Sequence, residues 1–178
     1  MQISKVTLVH SKSRYDFNKM KKAYFACGCF WGAQYYFDKL QGVKSTTVGY
    51  MGGKLDNPKY TDVKKGTTGH LETTEVVYDP SVLTYESLVK YFFEIHDFSQ
   101  EDGQGVDIGS QYLSAIFVSN DEEREICNKV IKILQDKNFK VATTILSVQT
   151  FWKAEDYHQS YLENRHESPE CHAHRKIF

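Results

Sequence analysis

Apolar positions along this chain change their period several times, and each change predicts an element. Ala23-Tyr24-Phe25-Ala26 is a short strand candidate. Ala33, Tyr36, Phe37 and Leu40 then recur at helical spacing and stop at Gly42. Ser45 to Tyr50 is β-prone, and Gly49-Tyr50-Met51-Gly52-Gly53 opens a polar loop through Asn57-Pro58, Gly66 and Gly69. That loop runs about 20 residues, and structureless loops of such length inside a compact domain tend to be functional. Leu71 to Tyr78 alternates as a strand and closes at the turn Asp79-Pro80. Thr84 can cap a helix whose apolar face is Leu88, Tyr91, Phe92 and Ile95. A second polar, glycine-rich loop spans Gln100 to Gly109, and a strand follows at Tyr112 to Val118. Ser119-Asn120-Asp121-Glu122 resembles a capping box, opening a helix with Ile126, Cys127, Val130, Ile131 and Leu134 on its apolar stripe. A strand at Thr144 to Gln149 and a helix around Ala154 to Asn164 complete the core.

This order predicts a single α+β domain spanning 1–178, with helices laid against a mixed or antiparallel sheet. Residues 1 to about 21 are polar and basic and read as an N-terminal extension. The tail 165–178 has no periodicity and is expected to be mobile. Two long loops bracketing the turn after the first strand are expected to build one pocket.

Composition narrows the partners. Among 178 residues, 40% are hydrophobic and 25% charged, and the net charge is −1, so no global field draws the chain to nucleic acid or anionic membrane. No apolar run approaches a membrane span, and the N-terminus lacks the apolar core of a secretory signal. A cytoplasmic, monomeric protein is expected. Four cysteines are too few and too irregular for a disulfide scaffold.

Candidate chemistry centres on Cys29, in Ala26-Cys27-Gly28-Cys29-Phe30-Trp31-Gly32, where a strand turns directly into a helix. A helix N-terminus offers unpaired amides and a positive dipole end, both of which favour a thiolate. Phe30 and Trp31 give that sulfur an apolar surround. Cys127 falls on a helix's apolar stripe and reads as core, and packing also suits Cys27 better than metal binding. Cys171, beside His172 and His174, is open to three readings: an idle exposed thiol, a resolving cysteine on a flexible arm, or a zinc ligand. Most glutamates are solvated, but Glu72 starts a strand beside the first long loop. If enclosed, it would hold its proton near neutral pH and act as a general acid. Tyr60 lies in the first loop, and Asp107 and Tyr112 flank the second.

Together these segments resemble the A-type peptide methionine sulfoxide reductase family. The match runs through Gly28-Cys29-Phe30-Trp31-Gly32, Gly49-Tyr50-Met51-Gly52-Gly53, Asn57-Pro58-Lys59-Tyr60 and Thr68-Gly69-His70-Leu71-Glu72. It continues through Val77-Tyr78-Asp79-Pro80, Phe93-Glu94-Ile95-His96-Asp97, Gly109-Ser110-Gln111-Tyr112 and Ala154-Glu155-Asp156-Tyr157-His158-Gln159. The resemblance implies an α+β fold, a two-layer α/β sandwich with a ferredoxin-like β-α-β-β-α-β core. It implies that Cys29 attacks the sulfur of the S epimer of methionine sulfoxide, free or in oxidised proteins. Phe30 and Trp31 receive the methyl group, Glu72 donates to the sulfoxide oxygen, Tyr60 and Tyr112 add donors, and Asp107 helps organise the pocket. The expected cycle leaves Cys29 as a sulfenic acid, closes a disulfide with a second thiol, and needs an external dithiol such as thioredoxin but no bound cofactor or metal. The tail departs from the family, because the glycine-rich pattern that often follows Tyr161-Leu162 is missing. Cys171 is nonetheless suitably placed to resolve Cys29.

Two rivals make different demands. A thiol peroxidase would favour a threonine or arginine beside the cysteine, where this chain has aromatics. A zinc-stabilised binding domain would use Cys27, Cys29, Cys171 and His174.

Overall fold

The computed structural model describes residues 19–178, so most of the N-terminal extension lies outside the described residues. In chain order the elements are β1 (Lys21–Cys27), α1 (Phe30–Asp38), β2 (Val43–Met51), α2 (Tyr60–Val63), β3 (Leu71–Tyr78), α3 (Tyr85–Glu94), β4 (Gly103–Gln104), β5 (Asp107–Ile108), β6 (Ser114–Val118), α4 (Asp121–Asp136), β7 (Thr144–Ser147), β8 (Trp152–Lys153) and α5 (Tyr161–Arg165). Six strands form one sheet in the order β7-β6-β1-β3-β2-β8, and β4 and β5 pair as a separate hairpin. Among the described residues only the β6–β7 pairing is parallel, so the sheet is mixed. The inner order β6-β1-β3-β2, with α1 and α3 as crossovers, is the ferredoxin-like arrangement that the family resemblance implied.

Helices α1, α3 and α4 form where the apolar spacing placed them, whereas α2 lies inside the first long loop, where no helix was expected. Thr84 Oγ1 accepts from Ser87 N at 3.1 Å and caps α3, whose buried face includes Leu88, Val89, Phe92 and Phe93. Asn120 caps α4 by accepting from Glu123 N at 2.9 Å, and Glu123 reaches back to Ser119 N at 2.7 Å. The main core lies between these helices and the sheet, with Phe25 stacked on both Phe37 and Phe92. Cys27 and Cys127 belong to that core and are about 1% and 0% exposed, which confirms their packing role.

Two expectations need correction, and one strand went unread. The helix around 154–164 is broken into a single 3₁₀ turn (Asp156–His158) and the short α5. Gln159 spends its amide on the backbone of Val48 and Ala154, and Ser160 adopts a left-handed φ of 50°. The chain there follows the sheet edge instead of coiling. The strand Trp152–Lys153, which closes that edge, was not legible in the sequence. The tail is the other correction, because it is held down rather than free. Arg175 N donates to Glu94 O at 2.7 Å, and the amides of Ile177 and Phe178 donate to Glu94 Oε1 at 2.8 and 3.0 Å. A buried glutamate anchoring backbone amides leaves no hydrophobic period, so composition alone reads as mobility.

Candidate active site

Gly28 makes the turn that presents Cys29. Its φ of 93° is a left-handed conformation, and a Cβ there would come within 2.4 Å of Gln104 Cβ. Cys29 follows as the N-cap of α1, with Phe30 as the first helical residue. Extending the β1–β3 register from Phe25↔Thr74 by two residues puts Glu72 opposite Cys27. From there Glu72 Oε2 accepts from Phe30 N at 3.0 Å. The strand pairing thus places a carboxyl beneath the cysteine turn.

Electrostatics at this pair depart from the simplest reading of a helix N-terminus. Burial raises the Cys29 pKa above the ordinary thiol value, and the nearby Glu72 and Asp107 charges add to it. The amides of Trp31 and Gly32 pull the other way, although no side-chain cap bond closes on the resting sulfur. Desolvation wins, so Cys29 rests as a thiol and not as the thiolate expected from the dipole alone. Glu72 is 3% exposed, and burial pushes its pKa up to about 8 against the lowering effect of the Phe30 amide. It therefore holds a proton at neutral pH, the condition the sequence set for a general acid. Tyr60 and Tyr112 are half-buried, and burial followed by the field of Glu72 raises both phenols, which stay protonated as donors.

The two aromatics after Cys29 play different parts. Phe30 is 1% exposed and packs against Tyr50 and His158 at 5.8 and 5.2 Å, so its ring backs the site from within the core. Trp31 is half-buried and lines a hollow of about 450 Å³ together with Cys29, Gly32, Asp107 and Cys171. Its indole stacks on Tyr161 at 3.7 Å with an interplanar angle of 9°. Asp107 Oδ2 accepts from Cys171 Sγ at 2.8 Å. Burial, that hydrogen bond and the carboxylate charge raise Cys171 to about 12, so it too rests as a thiol. The structure thus brings Cys29, Trp31, Asp107 and Cys171 to one hollow, with Glu72 and Phe30 beneath. Among the described residues, no group of three or more His, Cys, Asp or Glu side chains could hold a metal ion. His174, the fourth ligand of the zinc reading, lies instead against Glu94 at 3.4 Å and Tyr91 at 5.6 Å.

Comparison with known proteins bears on this geometry. The profile of a family described as peptide methionine sulfoxide reductase matches residues 21–178. The chain belongs to that family. The peptide methionine sulfoxide reductase MsrA of Methanothermobacter thermautotrophicus is 45% identical over 149 residues, covering 82% of this chain and 88% of the relative. Mxr1 from Saccharomyces cerevisiae in reduced form superposes with a TM-score of 0.85 at 34% identity, covering 92% of this chain and 96% of that one. Mxr1 in complex with Trx2 superposes with a TM-score of 0.63 at 25% identity, over 93% and 97% of the two chains.

Peptide methionine sulfoxide reductase chemistry gives a purpose to residues that the sequence named without a role. Within Ala154–Gln159, His158 is 1% exposed and its Nδ1 accepts from Trp31 Nε1 at 3.1 Å, fixing the indole edge. Glu155 accepts from Tyr60 N and from Tyr50 OH, each at 3.0 Å, and so seats the first loop's tyrosine. The only signal for either was their place in a matched motif. His172 had no signal beyond its neighbour Cys171. It is 5% exposed, donates from Nε2 to Cys27 O at 2.7 Å, and fills space that a Cβ on Gly32 would enter to within 2.3 Å of Nδ1. Gly32 and His172 thereby dock the tail over the reductase's cysteine turn.

One consequence concerns the second thiol. Asp107→Asn removes the charge that helps hold Cys171 near 12 and leaves only a weaker, neutral amide oxygen as acceptor. At pH 8 the thiolate fraction of Cys171 should rise, and its alkylation by iodoacetamide should speed up several-fold. Mass spectrometry of the modified peptide reads the rate directly. An unchanged rate would mean that burial alone sets this thiol.

Proposed function

We propose that the chain reduces the S epimer of methionine sulfoxide, free or in oxidised proteins, through a Cys29 sulfenic acid and then a Cys29–Cys171 disulfide. One observation carries this reading: a buried glutamate, whose burial pushes its pKa up to about 8, sits beneath a cysteine at a helix start and accepts from the next amide. A sulfoxide sulfur is a poor electrophile until its oxygen is protonated or strongly hydrogen-bonded. A site that reduces it must therefore hold an acid and a thiol on opposite sides of one S–O bond.

Binding begins with the methyl group against Trp31, whose orientation His158 and Tyr161 fix. The sulfoxide oxygen meets Glu72, with Tyr60 and Tyr112 as further donors. The sulfur then faces Cys29, and three fixed contacts around a pyramidal sulfur admit one configuration, which the family resemblance names as S. The positive end of the S–O dipole offsets the burial that disfavours a Cys29 thiolate, so the thiol loses its proton only when substrate is present. Glu72 gives its proton to the oxygen and regains one from Cys29. The net change is Cys29–SH plus sulfoxide to Cys29–SOH plus methionine. Cys171–SH then condenses with Cys29–SOH, forming the S–S bond and releasing water.

An external dithiol returns both cysteines to thiols. The complex of Mxr1 with Trx2 supports a thioredoxin as that dithiol, and a reducing compartment such as the cytoplasm suits the four free cysteines. Turnover of each separate sulfoxide epimer with dithiothreitol tests the reading. Only the S epimer should yield methionine; equal turnover of both, or preference for hydrogen peroxide as oxidant, would contradict it.

A further inference from the structure

The matched motif Phe93-Glu94-Ile95-His96-Asp97 closes α3, and two of its residues reach the segments that carry Asp107 and Cys171. On the hairpin side, Asp97 N donates to Gln104 Oε1 at 2.9 Å, and Gln104 Nε2 donates back to Asp97 O at 3.0 Å. Gln104 pairs with Asp107 in the β4–β5 hairpin. On the tail side, buried Glu94 uses three oxygens. Its carbonyl accepts from Arg175 N at 2.7 Å, and Oε1 accepts from the amides of Ile177 and Phe178 at 2.8 and 3.0 Å. Lys176 Nζ lies 3.9 Å from Oε1, and His174 Nε2 lies 3.4 Å from Oε2. The Cys171 Sγ–Asp107 Oδ2 contact thus joins two segments that are both seated on one helix end.

We propose that Glu94 is a positioning residue for disulfide closure: its clamp on 174–178 keeps Cys171 in the hollow beside Cys29 and sets how fast the sulfenic acid is resolved. The inference rests on the disulfide cycle proposed above. In that step Cys171 Sγ bonds to Cys29 Sγ and the Cys29 S–O bond breaks. The hydroxyl leaves as water with the proton given up by Cys171. Glu94 acts only through the backbone that carries the attacking sulfur.

Chain length gives the clamp its importance. Upstream, Cys171 hangs from α5 by the largely exposed segment His166 to Cys171. A flexible tether of about six residues has an r.m.s. span of about 13 Å, and a thiol on it works at only a millimolar effective concentration. Downstream, His172 is moored to Cys27 O at 2.7 Å, and the clamp begins two residues later at His174. Ile177 and Phe178 also pack against the main core, and the Phe178 ring lies 5.7 Å from Lys90 Nζ and 5.4 Å from Lys137 Nζ. Burial opposes a charge on Glu94, but the amides of Ile177 and Phe178, with Lys176 and His174, outweigh it and hold its carboxyl below the usual range. Truncating that carboxylate removes charge-assisted bonds and leaves part-buried amides without their acceptor.

Single turnover of the full chain with S sulfoxide, dimedone and no reductant makes the test. Glu94→Ala should form methionine within about 2-fold of the wild-type rate, because Glu94 does not line the Cys29 hollow. Closure of the Cys29–Cys171 disulfide should slow at least about 10-fold, so that dimedone labels the Cys29 sulfenic acid. Glu94→Gln keeps an acceptor for the two amides and should close at an intermediate rate. Ile177→Pro removes one donor from the tail without altering α3, and should slow closure in the same direction even if Glu94→Ala is unfolded. Closure at the wild-type rate in Ile177→Pro or in folded Glu94→Ala, or methionine formation slowed as much as closure, would overturn the proposal. Peptide mapping of wild type after excess sulfoxide separates this from the parent reading. Absence of a Cys29–Cys171 disulfide removes the cycle itself, whereas its presence with unaltered closure in the variants removes only the clamp.

Discussion

Cys29→Ser is expected to leave no measurable sulfoxide reduction, a loss of at least about 10³-fold, while the protein remains folded. The reaction ends with the substrate's oxygen on the nucleophile. A sulfur can carry it as a sulfenic acid, but a serine oxygen would have to form a peroxide, so the product state does not exist on a comparable energy scale. The fold has no comparable stake in the sulfur. Cys29 makes no side-chain cap hydrogen bond at the start of α1, and serine is among the preferred N-cap residues. The thermal midpoint should therefore stay within about 3 °C of wild type. Turnover with dithiothreitol and a circular-dichroism melt on the same preparation make the check, and residual turnover near wild type would remove Cys29 as nucleophile.

Glu72→Gln separates acid catalysis from architecture. The amide keeps an acceptor for the Phe30 N–H, so the contact that ties β3 to the cysteine turn survives. It gives no proton to the sulfoxide oxygen, and methionine release should slow by about 10² to 10³-fold. Alkylation of Cys29 by a neutral reagent should change far less, because Glu72 adds to the Cys29 shift only after burial. Equal effects on both rates would take Glu72 out of the acid role. Stability carries a second signature. The folded pKa of about 8 lies above the unfolded value near ~4.3, so the folded state keeps a proton that the unfolded chain releases. Wild type should lose stability as pH rises between those two values and level off above the folded one. The glutamine variant should lack that component, and melts at pH 6 and pH 9 show whether it does.

Much of this was legible because it depends on local chemistry. Strand period at Leu71–Tyr78, the cap at Thr84 and the turn Gly28–Cys29 are all set by neighbours in sequence. The α4 cap falls at Asn120 with Glu123, one residue on from the Ser119–Glu122 box read in the sequence. Resemblance to a family then placed Glu72, Tyr60, Asp107 and Tyr112 around one cysteine. What stayed hidden depends on long-range polar contacts without a period. Glu94 holds the tail through backbone amides 83 and 84 residues away, and His158 meets Trp31 across 127 residues. The resting charge of Cys29 was misread for a related reason. A dipole can be inferred from a helix start, but the depth at which the sulfur is buried depends on the whole packed domain, and here depth outweighs dipole.

The relay proposed between Cys29 and Glu72 starts from both groups protonated, which gives it a pH signature that simple thiolate attack lacks. The decisive measurement is the rate of a single turnover from pH 6 to pH 10, with reduced protein, S sulfoxide and no reductant, scored as methionine formed per chain. One methionine per chain should appear, at a rate that holds up to about pH 8 and declines above it as Glu72 ionises. A rate that climbs steadily through pH 8 would mean that sulfur ionisation alone governs the reaction, and that the buried carboxyl is not its acid.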